Sequence, residues 1–389
     1  MISYSRQHIT EADIAAVARV LRSDFLTQGP EVPLFEEAIA SSCCAQHAIA
    51  TSSATAALHV ACQAMGLVPG DWLWTSPITF VASANCARYC GASVDFVDVD
   101  PSTHNMSVQA LARKLASAEK SGRLPKIVVP VHLSGLPCDM QEIQSLADRY
   151  GFHVLEDASH ALGATYHNNP IGSCLFSHAA VFSFHAVKMI TTGEGGMALT
   201  NDPVLAEKMR RLRTHGITKN PLEMAGLPDG PWYYEQNELG SHYRLTELQA
   251  ALGRSQMQRL DEFLSRRRAL AERYDQLLDG FPLRRPTRLA DRESSWHLYS
   301  VDIDFDGLLL SQKESYEKMH AQGIGVQLHY IPVHLQPDYA QFGFQRGDFP
   351  EAEAYYRRAM SLPLHCKLTD DEQDSVCDAL RNTLVRPAR

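Results

Sequence analysis

Between residues 47 and 201, short runs rich in β-branched and aromatic residues alternate with segments whose apolar residues recur every three or four positions. The runs are HAIATS, DWLWTS, SVDFVDVD, KIVVPVHL, HVLEDAS, AAVFSFH and GMALTN. The segments 53–65, 108–120 and 140–150 between them carry helical spacing. Strands alternating with helices predict an α/β domain built on a mainly parallel, seven-stranded sheet. Ligands of such open sheets gather beyond the carboxyl ends of the strands, so each strand-to-helix junction is a candidate site.

Past this region the pattern changes. Residues 245–278 hold apolar positions at three- and four-residue intervals, are rich in Ala, Leu, Gln, Glu and Arg, and contain no proline. They predict one long helix or two closely joined ones. A proline-containing stretch at 281–286 follows, then the strand-like HLYSVDID, a helical segment and the strand-like IGVQLHY. This reads as a smaller α/β domain, which places a large domain at 1–254 and a small C-terminal domain at 255–389. A chain of 389 residues exceeds the size at which one core stops growing, which agrees with two domains.

Composition narrows the function classes. Hydrophobic residues make up 45% and charged residues 21%, as in ordinary globular proteins. A net charge of -9 disfavours a general nucleic-acid binder, because phosphate-backbone affinity comes from clustered Lys and Arg. No apolar run has membrane-spanning length, and MISYSRQHITEAD has neither the basic start nor the apolar stretch of a secretory signal, so a cytoplasmic location is expected. The nine cysteines lack paired metal-ligand spacing; reduced, mostly buried thiols and no metal site are expected.

Four junctions carry candidate chemistry. In VFSFHAVKMITTGEGGMALT, Lys188 follows a buried-type strand and precedes a turn with Gly193, Gly195 and Gly196. A lysine there can be desolvated enough to act as a nucleophile, although a lone lysine beside a loop is ordinarily a solvated surface group. In HVLEDASHALG, Asp157 ends an apolar strand and can hold a pyridine nitrogen protonated, or can simply cap a turn. In ATSSATAALHVA, Ser52, Ser53 and Thr55 open an apolar helix directly after a strand, a phosphate cradle or a plain N-cap. In SPITFVASANC, Phe80 offers a flat apolar face for an aromatic ring, or joins the core. Each ordinary alternative stands alone; the conjunction of cradle, aromatic, acid and lysine in one α/β domain favours a pyridoxal 5′-phosphate enzyme.

With these pieces in this order the chain resembles the DegT/DnrJ/EryC1/StrS sugar aminotransferases, fold-type I enzymes that use pyridoxal 5′-phosphate and pass through pyridoxamine 5′-phosphate. The resemblance covers essentially the whole chain through FLTQGPEVPLFEEAIA, ATSSATAALH, SPITFVASAN, EDASHALGA, SFHAVKMITTGEGG, RLRTHG, YRLTELQAALG and VQLHYIPVH. It implies that Lys188 is the catalytic Schiff-base lysine, Asp157 the partner of the pyridine nitrogen and Phe80 the residue stacked on the ring. It places Ser53, Ala54, Thr55 and Ser183 around the phosphate and His160 near the cofactor's phenolic oxygen. His242 of GSHYR stands where the family often has an Asn that reaches the cofactor of the neighbouring subunit, so the resemblance also implies a homodimer with shared sites. Lys188 separates the chain from the family's sugar dehydratases, which carry His at that position.

Within the family, SFHAVK, DASHALG and VQLHYIPVHLQPDY are most similar to the branch of 4-aminotransferases in pseudaminic acid biosynthesis. That likeness implies L-glutamate as donor and UDP-2-acetamido-2,6-dideoxy-β-L-arabino-hexos-4-ulose as acceptor. It implies substrate contacts from Tyr4, Asp24, Phe25, Leu26, Thr27, Ser53, Ser183, His185, His242, His329 and Tyr330. Other readings left open are a GDP-linked 4-keto-6-deoxyhexose or UDP-pentose acceptor, and a regulator that keeps the fold without the reaction.

Overall fold

The computed structural model describes residues 1–384; the final five residues of the expected small domain lie outside the described residues. All seven runs form one sheet from β1 (His47–Thr51), β2 (Trp72–Thr75), β3 (Ser93–Phe96), β4 (Ile127–Val129), β5 (His153–Asp157), β6 (Ala179–Ser183) and β7 (Gly196–Thr200). Their order is β1-β7-β6-β5-β4-β2-β3. Every strand runs the same way except β7, which is antiparallel to both β1 and β6. Two runs are trimmed by half or more: β4 stops before Pro130, which has no N–H to give a ladder, and β3 stops at Phe96.

Successive side chains on a strand face opposite ways, and both faces of this sheet are covered. Ala50, Val154, Ala180 and Phe182 enter one apolar cluster, while their neighbours Ile49, Leu155, Ala179 and Val181 enter another. The first face is covered by α2 (Glu31–Cys43), α5 (Val108–Ser121) and α6 (Met140–Tyr150), through Phe35, Ile39, Leu111, Leu115 and Ile143. The second is covered by α3 (Ala54–Ala64), α4 (Ala82–Tyr89) and α7 (Pro203–Leu212), through Leu58, Ala61, Ala87 and Met209. This double burial is why the strands read as near-continuous apolar runs.

Residues 245–278 form two helices, α8 (Glu247–Met257) and α9 (Leu260–Leu277). In α9, Leu260, Phe263 and Leu264 pack into the first cluster. Leu270, Ala271 and Tyr274 of the same helix pack into a third, with Tyr299, Met319, Met360, Val376 and Leu380. The third cluster lies beside a small antiparallel sheet of Leu283–Arg284, Tyr299–Ile303 and Ala359–Leu362. Val333, Tyr339, Phe349 and Tyr355 return to the α3 face.

The strand expected at residues 324–330 does not form. Ile324, at the start of the segment, bridges Ile2 and Gln327, at its centre, bridges Ser361, so each makes a single bridge to a different part of the chain and no continuous ladder develops. No helix among the described residues is long and apolar enough to cross a membrane.

Candidate active site

The strand period that builds the core also aims the polar residues. Asp157 shares the parity of Leu155, and Ser183 that of Val181, so both point from the carboxyl ends of β5 and β6 toward the α3 face. They meet there a cavity of about 440 Å³. It is lined by Tyr4, Ser53, Ala54, Thr55, Phe80, Asp157, His160, Ser183, His185, Lys188, His329 and Tyr330, all anticipated from the sequence.

One end of the cavity is the start of α3. Ser53 is its N-cap, and the Ser53 Oγ accepts the N–H of Ala56 at 3.1 Å. The first-turn N–H groups have no carbonyl four residues back, and together with the positive end of the helix they favour an anion. Gly196 lets the neighbouring strand approach this turn closely: a Cβ there would stand 2.3 Å from Ala54 N and 2.5 Å from Ser53 O. Capping and cradling are therefore compatible, since the cap uses one N–H and leaves the earliest ones open.

Lys188 sits on a loop pinned at several points. The Phe184 N–H donates to Gly195 O at 2.9 Å, the Thr192 N–H to Phe184 O at 2.9 Å and the Lys188 N–H to His185 O at 2.9 Å. From the N-terminal arm, Ser5 Oγ donates to Val187 O at 3.1 Å. The cost of burying an ammonium pulls the Lys188 amine down to about 8, and the Asp157 carboxylate acts in the opposite direction. Asp157 Oδ1 accepts the Ser159 N–H at 3.1 Å, and Oδ2 accepts from Ser83 Oγ at 2.5 Å.

The far wall is aromatic and neutral. The Ser134 N–H reaches His160 Nδ1 at 3.3 Å, which makes Nδ1 the acceptor and leaves the ring hydrogen on Nε2. Nε2 then donates to the Tyr330 hydroxyl at 3.0 Å, so the phenolic hydrogen is free to be donated elsewhere. Burial, then Lys188 and His329, hold His160 well below the ordinary imidazole range. Burial, then Lys188, lowers His329 to about 3, and its Nδ1 lies 2.9 Å from Ser361 Oγ. His297 is likewise driven down by burial first and by His160 next. Burial raises the Tyr330 phenol, with Asp157 adding to the shift. Phe80 lies on the cavity wall with 58% of its surface exposed, so its apolar ring is available rather than spent in the core.

Ser52 is not in the lining, its N–H donating to Tyr243 O at 2.8 Å, and five residues anticipated from the resemblance also lie elsewhere. Asp24, Phe25, Leu26 and Thr27 form an exposed loop, and His242 is stacked on His215 at 5.4 Å; none lines the cavity of the same chain. The structure adds Thr79, Ser159, Val187, Glu194 and His297 to the lining. His297 gave no signal in WHLYSV because it reaches the cavity only through the packing of a distant segment beside His160, at a ring separation of 4.3 Å.

A deprotonable lysine, a buried carboxylate, an open helix N-terminus and an available aromatic face fit a phosphorylated pyridine aldehyde. Comparisons with known proteins agree. The DegT/DnrJ/EryC1/StrS aminotransferase family model matches residues 7–381. Over 384 residues the chain is 39% identical to the spore coat polysaccharide biosynthesis protein SpsC of Bacillus subtilis, covering 98% of this chain and 96% of that one. PseC of Helicobacter pylori, described as an aminotransferase involved in the biosynthesis of pseudoaminic acid, superposes with a TM-score of 0.90 at 32% identity, covering 98% of this chain and 99% of that one. Spr1654 of Streptococcus pneumoniae in its PMP form gives a TM-score of 0.89 at 29% identity and 99% coverage of both chains, and it is also known in a PLP form. The chain belongs to the DegT/DnrJ/EryC1/StrS aminotransferase family, a group of fold-type I sugar aminotransferases that depend on pyridoxal phosphate.

Proposed function

We propose that this aminotransferase moves the amino group of L-glutamate to C4 of UDP-2-acetamido-2,6-dideoxy-β-L-arabino-hexos-4-ulose. The observation that carries the reading is the convergence of Lys188, Asp157 and the α3 N-terminus in one cavity walled by His160, His329 and Tyr330. The likeness to PseC supports the choice of sugar.

When bound, the cofactor carries nitrogen between donor and acceptor and absorbs the negative charge that develops on the reacting carbon. Lys188 Nζ anchors it at rest. Once displaced, the same amine takes a proton from the donor's Cα in the first half-reaction and returns one to sugar C4 in the second. Asp157 keeps the ring nitrogen protonated. Ser53, Ala54, Thr55 and Ser183 hold the phosphate, and Phe80 covers one face of the ring. His160 stays neutral and orients the Tyr330 hydroxyl toward bound ligands. Tyr4, His185 and His329 line the space left for the sugar nucleotide.

The residues outside the cavity fit a homodimer in which Asp24, Phe25, Leu26, Thr27 and His242 complete the neighbour's site. Phe25, Leu26, Leu222, Leu227, Trp232 and Leu239 are exposed apolar side chains that a partner copy could cover.

The test is incubation with L-glutamate and a panel of nucleotide keto-sugars, followed by mass spectrometry and NMR of the products. Amination of the UDP-linked 4-ulose at C4 is expected; turnover confined to a GDP-linked 4-keto-6-deoxyhexose or a UDP-pentose would overturn the assignment.

A further inference from the structure

We infer that Ser83, itself oriented by Thr79, is a positioning residue that fixes the Asp157 carboxylate for its work on the ring nitrogen. The inference rests on the cofactor placement proposed above. Ser83 is fully buried in the first turn of α4, and Thr79, four residues earlier, is buried as well. Ser83 Oγ lies 2.5 Å from Asp157 Oδ2, 2.7 Å from Thr79 Oγ1 and 3.3 Å from Phe80 O.

A serine hydroxyl has one hydrogen to give. The carboxylate is the nearest and the only charged acceptor of the three, so it receives that hydrogen. The Thr79 hydroxyl must then be the donor to Ser83, because Ser83 has no second hydrogen to offer it. The result is a one-way chain, Thr79 to Ser83 to Asp157. Its far end is closed by the Ser159 N–H on Oδ1. Each carboxylate oxygen is therefore held by one donor, which sets the carboxylate plane beside the cavity that Asp157 lines. Lys188 and Tyr330 are the titratable groups that sense Asp157 across that cavity.

The placement matters because the same segment carries Phe80. Thr79 and Phe80 both line the cavity, so the hydroxyl chain ties the carboxylate to the wall that holds the apolar ring. A hydrogen bond to a carboxylate favours its charged form. Without it the negative charge of the carboxylate is less shared out, and its pull on the ring nitrogen's proton strengthens. A ring with less positive charge then lets the nitrogen joined to Lys188 hold its proton to higher pH.

The test loads pyridoxal 5′-phosphate into wild type, Ser83→Ala, Ser83→Thr, Thr79→Val and Asp157→Asn, and follows the pH midpoint of the bound cofactor's visible absorbance. Ser83→Ala is expected to raise the midpoint by about half a unit or more. It should lower kcat by about tenfold, the worth of one charge-assisted hydrogen bond, with KM within about twofold. Ser83→Thr should restore the midpoint, and Thr79→Val should give a smaller shift in the same direction. A purely structural serine would lower thermal stability and leave the midpoint in place. If Asp157→Asn moves the midpoint and neither Ser83→Ala nor Thr79→Val does, the Ser83 role is overturned. If Asp157→Asn leaves it unmoved, the ring nitrogen is not at Asp157, and both the placement and the Ser83 role fall.

Discussion

Lys188 gives a prediction whose sign and size follow from its surroundings. In water a lysine amine titrates near 10.5; here burial brings it to about 8 against the opposing pull of Asp157. Only the neutral amine attacks an aldehyde. At neutral pH about one amine in ten is then neutral, against roughly one in three thousand for an ordinary lysine. Freed of cofactor and mixed with pyridoxal 5′-phosphate, the protein should develop visible absorbance at a rate that climbs with pH, reaches half its maximum near 8 and then levels off. Free lysine measured alongside corrects for titration of the aldehyde itself. Asp157→Asn supplies the sharper test. Its carboxylate helps keep the proton on Lys188, so removing the charge should move the midpoint below that of wild type and make the amine reactive at lower pH. A rate still rising at about pH 10, where an unperturbed lysine would titrate, would refute the desolvation argument. A midpoint displaced upward in Asp157→Asn would refute the proposed electrostatic coupling.

Further outcomes follow from the same geometry. Gly196→Ala drives a Cβ into the backbone of Ser53 and Ala54, which cannot swing aside as a side chain could, so the dissociation constant for pyridoxal 5′-phosphate should weaken by about tenfold or more in a fluorescence titration. Ser53→Ala removes the cap on Ala56 and should cost about 1 kcal/mol in urea unfolding of the cofactor-free protein. Burial and Lys188 lower His329 to about 3, and His160 is likewise held well below the ordinary imidazole range, so both rings are neutral near pH 7. The acid limb of a pH–rate profile near neutrality should therefore persist in His329→Asn and His160→Asn even where the rate falls; loss of the limb would contradict their neutrality. Mixing Lys188→Ala with His242→Ala protein should recover activity that neither has alone, up to about a quarter of wild type for random pairing of two-chain assemblies with shared sites; no recovery would count against sharing through His242.

Much of this protein was legible before its structure. The seven strands follow from apolar runs buried on both faces of a sheet, and the helices of residues 54–64, 108–121 and 140–150 follow from a 3.6-residue period, because both patterns are set by neighbours along the chain. Lys188, Asp157 and Ser53 were legible for the same reason: each stands at a junction whose position is local. The structure alone decided the spatial order of the strands and the reversal of β7, since pairing depends on which segments meet rather than on what each contains. It also decided that residues 324–330 form no strand, because Ile2 bridges the start of that segment and Ser361 its centre, each by a single pair. His297, Thr79 and Ser83 entered the site's surroundings only after folding brought them beside His160 and Asp157. Phe80 could be picked from SPITFVASANC as an aromatic surface, but the use of the hydroxyls around it depends on a carboxylate more than seventy positions away. A sequence period aims a side chain at a face of its own element; what that side chain meets there is fixed by the other elements packed against it.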